Sequence, residues 1–133
     1  MTDTLITAKD GGATVITLNK TDRANALGPE LVEALLDAVG TASTDGTRLL
    51  VLKGEGKSFC SGFDLSDLAE VSDGDLVNRL IRIETLLQAV YHAPMPTLAL
   101  AHGRVFGAGA DLFCACSSRI ASPGTSFRMP GLG

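Results

Sequence analysis

Two apolar runs of strand length place the tightest limit on what this chain can fold into. "RLLVLKG" (residues 48–54) and "PTLALAHG" (residues 96–103) are apolar at nearly every position. A strand with one wet face alternates; these do not, so each needs cover on both faces, as parallel strands between layers of helix have. The β-branched, alternating "ATVITLN" (residues 13–19) predicts an earlier strand. Helical patterns fill the gaps. "GPELVEALLDAV" (residues 28–39) puts Leu31, Ala34, Leu35 and Ala38 on one face, with Pro29 at a suitable first position. "DLVNRLIRIETLLQAVYHA" (residues 75–93) is the longest such pattern, and Pro94 and Pro96 end it. "GADLFCACSSR" (residues 109–119) has almost no polar face, which predicts a short internal helix, and "RIASP" starts another strand. The order strand, helix, strand, helix, strand, helix predicts α/β layering with right-handed crossovers.

Composition narrows the class. In 133 residues, 45% are hydrophobic and 20% charged, enough for one modest domain with a core. A net charge of −4 gives no electrostatic case for nucleic acid or an anionic membrane. The apolar stretch 97–116 is broken by His102, Arg104 and Asp111, so it is a poor membrane span. No signal-peptide pattern opens the chain. Three cysteines, Cys60, Cys114 and Cys116, neither form a disulfide framework nor show zinc-site spacing, so no metal is expected and a reducing cytoplasm is the simplest setting.

Several glycine-rich stretches suggest chemistry. "GEGKS" (residues 54–58) resembles the end of a phosphate-binding loop, but Val51 stands where its first glycine belongs. "GAGADL" (residues 107–112) has Leu112 at the third glycine position of a dinucleotide turn. Two places combine a strand end, glycine and free backbone N–H groups: residues 60–63 after the second strand and 107–109 after the third. Two N–H groups aimed at one carbonyl oxygen form an oxyanion hole. Two ordinary tight turns are the plainer alternative. His92 and His102 fit a helix end and a strand end. Cys60 fits a small loop residue, Cys114 and Cys116 fit core positions, Asp64 fits a turn cap, and Arg79, Arg82 and Glu84 fit a solvated helix face.

Taken together, the segments resemble the enoyl-CoA hydratase/isomerase (crotonase) family. "RANAL" (23–27), "FCSGFDLSDL" (59–68), "APMPTLALAHGRVFGAGADLFCACSSRIAS" (93–122) and "FRMPGLG" (127–133) occur in the family's order and cover most of the chain. The resemblance implies an α/β fold, the crotonase/ClpP-like spiral of β-β-α units. It implies one domain over residues 1–133, incomplete before the C-terminal helices that close the acyl pocket and build a homotrimer or hexamer. It implies an acyl-CoA thioester as substrate, with no separate cofactor because coenzyme A arrives on the substrate. The backbone N–H groups of Phe63 and Ala108 would polarise the thioester carbonyl. Arg23, Ala24 and Ala26 would line the coenzyme A arm. Ser61, Asp64 and Leu65 would support the adenine and pantetheine path, and Phe106, Pro130 and Gly131 would complete the substrate-binding set.

Two departures from the family pattern bear on the reaction. The first of the family's two glutamates falls at Asp111, and the second falls at Gly131, which has no side chain. Asp111 would then serve as a lone acid/base for a proton shift, or bind a polar group of the substrate. A module that binds coenzyme A thioesters without turnover or an inactive fragment, a thioester hydrolase, and a serine-peptidase relative using Ser61 with His92 or His102 are the alternatives.

Overall fold

The structure, a computed structural model, describes residues 3–130. Strands β1 (Leu5–Asp10) and β2 (Ala13–Leu18) form an antiparallel hairpin that pairs Leu5 with Leu18 and Asp10 with Ala13. From β2 onward the sheet is parallel. β2 pairs with β3 (Leu49–Gly54), β3 with β4 (Thr97–Ala101), and β4 with β6 (Ser118–Ala121). The crossovers carry α1 (Pro29–Ala42), α2 (Asp73–Tyr91) and α3 (Ala108–Ala115).

A second, smaller layer of extended chain lies between strands and helices. β5 (Arg104–Phe106) pairs in parallel with β7 (Ser126–Arg128). Single bridges continue this layer, from Val105 to Cys60 and from Phe63 to Leu27. Each loop that follows β2, β3 or β4 therefore contributes one extended piece before its helix begins. This is the β-β-α repeat of the spiral.

The core follows from the apolar patterning. Ile16, Leu18, Leu50 and Leu52 face Leu31, Leu35, Val39, Leu86 and Val90 of the covering helices, all at 2% exposure or less. The two helices are tied by Arg82, whose guanidinium grips both carboxylate oxygens of Glu33 at 2.8 and 2.7 Å. Arg79 holds Asp67 in the same bidentate way at 2.7 and 2.9 Å. These two arginines are paired rather than simply solvated, and each pairing lowers its partner carboxylate's pKa.

Several boundaries differ from the expected ones for local reasons. α1 runs on to Ala42, because Ala42 is buried and the Ser43 hydroxyl donates to the Val39 carbonyl. α2 begins at Asp73, since the Ser72 hydroxyl caps the Asp75 N–H at 3.1 Å. The expected wholly internal helix is two-sided. Gly109, Ala110 and Leu112 are buried, whereas Asp111 and Cys114 are exposed. Cys116 is a core residue; Cys114 is not.

Lys9 at the hairpin bridges to Asp45 in the loop after α1, and Thr47 donates both its N–H and its hydroxyl to Asp45. The Lys9 ammonium, then the Thr47 hydroxyl, hold the Asp45 carboxyl down at about 2. A carboxyl lowered by folding adds stability above its unfolded value of about 3.9 and loses it as pH falls toward the folded value. An NMR titration should give an Asp45 midpoint near 2 in the parent chain. Lys9→Ala should raise it toward the ordinary range, and should lessen the loss of stability between about pH 4 and pH 2. Separately, Leu52→Ala, at a side chain with no exposed surface, should cost about 2–5 kcal/mol in urea unfolding.

Candidate active site

Parallel strands deliver their following loops to one end of a sheet, the end where open α/β sheets place ligands. Here three such loops stack side by side: residues 24–27 after β2, 60–64 after β3 and 104–109 after β4. The first two are laced together. The Leu27 N–H donates to Gly62 O at 2.7 Å, Asp64 N–H to Leu27 O at 3.2 Å and Ser61 N–H to Ala24 O at 3.1 Å. The second and third are joined by Cys60 N–H to Arg104 O at 3.3 Å and Phe106 N–H to Cys60 O at 3.1 Å.

This lacing fixes where the Phe63 N–H points. Gly62 O and Phe63 N–H belong to one trans peptide, so they point in opposite directions. Gly62 O is spent on Leu27, so the Phe63 N–H faces away from that loop. On the third loop, Ala108 opens α3, where the N–H has no partner within the helix. Among the described residues neither N–H has a protein acceptor.

Absent side chains bring the two peptides together. A Cβ at Gly62 would lie 2.8 Å from Phe106 O and 3.8 Å from Ala108 N, and Gly62 has φ +105°. A Cβ at Gly109 would lie 2.3 Å from Cys60 O. Gly107 enters the helix at φ +54°, a conformation natural only to glycine. The turns are thus both left-handed and crowded, which ordinary strand-end turns need not be.

Two clefts flank the first loop. One, of about 480 Å³, is bounded by residues 21–24, 55–58 and Arg104. The other, of about 290 Å³, runs from Leu27 and Val32 to Asn78 and the paired arginines of α2.

A model of the enoyl-CoA hydratase/isomerase family matches residues 8–132. The chain belongs to the enoyl-CoA hydratase/isomerase family. A Mycobacterium leprae protein named "Probable enoyl-CoA hydratase" is 37% identical over 123 residues, covering 90% of this chain and 48% of that protein. Among solved structures, a Bordetella parapertussis protein provisionally assigned as an enoyl-CoA hydratase/isomerase superposes with a TM-score of 0.95 at 49% identity. That match covers 98% of this chain and 55% of the other. An enoyl-CoA hydratase of Mycobacterium smegmatis gives 0.92 at 31% identity, covering 97% and 51%. The chain spans about half the length of the curated relatives it matches.

The expected site residues of this family member fall around the stacked loops. Phe63 and Ala108 are half-buried neighbours of the Gly62 contact. Asp111 lies one turn into α3, exposed, its N–H bonded to Gly107 O at 3.1 Å. Ala26 is buried, Arg23 is exposed, and Ser61 donates to the Arg23 carbonyl at 3.4 Å. The Asp64 carboxylate caps the Ser66 N–H at 2.9 Å and presses on Gly28, while Leu65 is exposed. Phe106 packs beneath the Arg128 guanidinium. Pro130 is the last described residue, and Gly131 lies outside the described residues.

Other candidates are disposed differently. His102 Nε2 bonds the Gly56 carbonyl at 2.7 Å, and His92 caps the end of α2 against Tyr91. Ser61 bonds neither histidine. Burial pushes the Cys60 thiol up to about 12, against the Gly62 N–H that lowers it, which suits a packing group and not a nucleophile. Among the described residues no helix is long and apolar enough to cross a membrane.

One residue that sequence reasoning passed over is Asn25. It is fully buried at φ +58°, between Ala24 and Ala26. Its amide donates to Glu55 O at 3.0 Å and Ser58 O at 2.9 Å, and its Oδ1 accepts from Lys20 N–H at 2.8 Å. It staples the first loop to the second. The available signal was an asparagine, which tolerates left-handed backbone, inside a short polar loop.

The crowding at Gly109 is directly testable. Gly109→Ala should cost about 3 kcal/mol or more in chemical denaturation, because the methyl meets a backbone oxygen that cannot move alone. Gly40→Ala, at an exposed position of α1 with nothing near its Cβ, should instead stabilise by about 0.5–1 kcal/mol.

Proposed function

We propose that this chain binds an acyl-CoA thioester and polarises its carbonyl between the N–H groups of Phe63 and Ala108. The observation that supports this reading best is the direction of the Phe63 N–H, turned away from Leu27, on the residue that follows Gly62, whose Cβ position lies 3.8 Å from the Ala108 nitrogen. Two fixed donors at one oxygen favour the enolate over the neutral thioester and reorganise little as charge develops. Nothing about the donors depends on side-chain identity, so Phe and Ala serve.

The acidic proton on C2 then needs an acceptor. Asp111, one turn past Ala108, is the carboxylate at the family's first catalytic position. It takes a proton from C2 of a 3-enoyl thioester and returns it at C4, giving the 2-enoyl isomer. Water addition with two carboxylates lacks its second member, since residue 131 is glycine. We therefore place the chain among isomerases or lyases of fatty acyl thioesters. Arg23, Ala24, Ala26, Ser61, Asp64 and Leu65 carry the coenzyme A portion, and Phe106, Pro130 and Gly131 the rest of the set. Coenzyme A comes with the substrate, and where the full family domain is present a homotrimer or hexamer in the cytoplasm is the working assembly.

Purified chain should bind butyryl-CoA in calorimetry and convert a 3-enoyl-CoA, while crotonyl-CoA is hydrated little. Asp111→Asn should leave binding within about threefold and lower turnover by about a hundredfold or more. Unchanged turnover reduces Asp111 to a helix-terminal charge. Binding without turnover in the parent chain supports the binding-module reading, and absence of thioester binding overturns both.

A further inference from the structure

The donor at Ala108 is positioned by its neighbour Gly107, and Gly107 is anchored from outside its own loop. Its N–H donates to the Arg128 carbonyl at 2.7 Å. Arg128 stands opposite Phe106 in the β5–β7 register, and its guanidinium carbon lies 5.7 Å from the centre of the Phe106 ring. β7 has three residues, all of them exposed, and among the described residues pairs in its sheet with β5 alone. Apart from backbone bonds, the described contacts on its residues are this cation over a ring and the Phe127 ring against Phe113, 5.2 Å apart. The Phe106 carbonyl is the atom that crowds Gly62. One arginine thus grips both sides of the turn: its side chain covers residue 106, and its carbonyl holds residue 107.

We infer that Arg128 is a positioning residue for the Ala108 N–H, clamping the 106–108 turn so that this donor meets the same oxygen as the Phe63 donor. The inference rests on the proposed role of those two donors. Arg128 touches no reacting atom; its cation–π contact is an exposed one, so its loss is felt as slackened geometry, not as a missing group. A lysine at 128 keeps a cation over the ring, and a glutamine does not.

The test reads donor geometry directly. Butyryl-CoA carrying a ¹³C label at the thioester carbonyl is bound to the parent chain, to Arg128→Gln and to Arg128→Lys, and the carbonyl stretch is recorded by difference infrared spectroscopy. The parent chain should shift the band to lower frequency on binding. Arg128→Gln should lose at least half of that shift with the dissociation constant within about threefold, and Arg128→Lys should keep most of it. Turnover of a 3-enoyl-CoA by Arg128→Gln should fall about two- to fivefold with KM nearly unchanged. A full shift in Arg128→Gln overturns the positioning role while leaving the two donors in place. No shift in the parent chain overturns the donor pair and this inference with it. Should Arg128→Gln not fold by circular dichroism, Arg128→Met removes the cation while keeping an apolar side chain over the ring. Loss of shift there supports the clamp, and a full shift overturns it.

Discussion

The site depends on backbone approaching backbone with no side chain between. At Gly109 the missing Cβ leaves room for the Cys60 carbonyl, at Gly62 for the Phe106 carbonyl, and at Gly103 for the Lys57 carbonyl, where a Cβ would lie 1.8 Å away. These three contacts hold the second loop against the third. With the loops at that spacing, peptide planarity does the rest: once Gly62 O is committed to Leu27, the Phe63 N–H has one direction left. Any residue larger than glycine at these positions would part the loops and separate the two donors.

The larger fold serves that spacing. Parallel pairing of β2, β3 and β4 brings three loops to the same end of the sheet. The helices that return the chain are then obliged to lie over the sheet, and their apolar faces fill the space above Leu18, Leu50 and Leu52. Bidentate arginine pairs fix α2 to α1 and to the loop before α2, at fixed angles rather than as diffuse surface charge. Asn25, itself fully buried, contributes the remaining tie with three hydrogen bonds, which are costly to leave unmade.

What could be read from the sequence divides along physical lines. β3 and β4 were legible because burial on both faces leaves an unbroken apolar run. β1 was not: past Leu5 its residues are exposed, and it is held by pairing with β2, which local pattern does not record. β5 and β7 are three residues each, too short for any period to show. The two-sidedness of α3 was hidden because small and apolar residues occupy both its faces, with Cys114 outside and Ala110 inside. The arginine pairs join residues 12 and 49 positions apart, a separation at which spacing carries no information. The glycine turns were visible, since left-handed backbone and close approach both select glycine. Which N–H groups point outward was not visible, because a backbone donor leaves no mark in the side chains; that assignment came through family resemblance.

A site built from main-chain donors separates two requirements that side-chain catalysis joins. No substitution removes the Phe63 or Ala108 N–H short of proline, so on the proposed reading the polarising half of the site would be lost only through distortion. Under the proposed function the acid half behaves in the opposite way: Asp111 is a carboxylate on an exposed helix face, and its replacement would change the proton transfer and not the donors. A chain of this design can keep binding and polarising a thioester while its acid positions change. On the proposed reading, Gly62, Gly109 and the Arg128 contact would set whether the oxygen is held, and the residue at 111 what happens once it is.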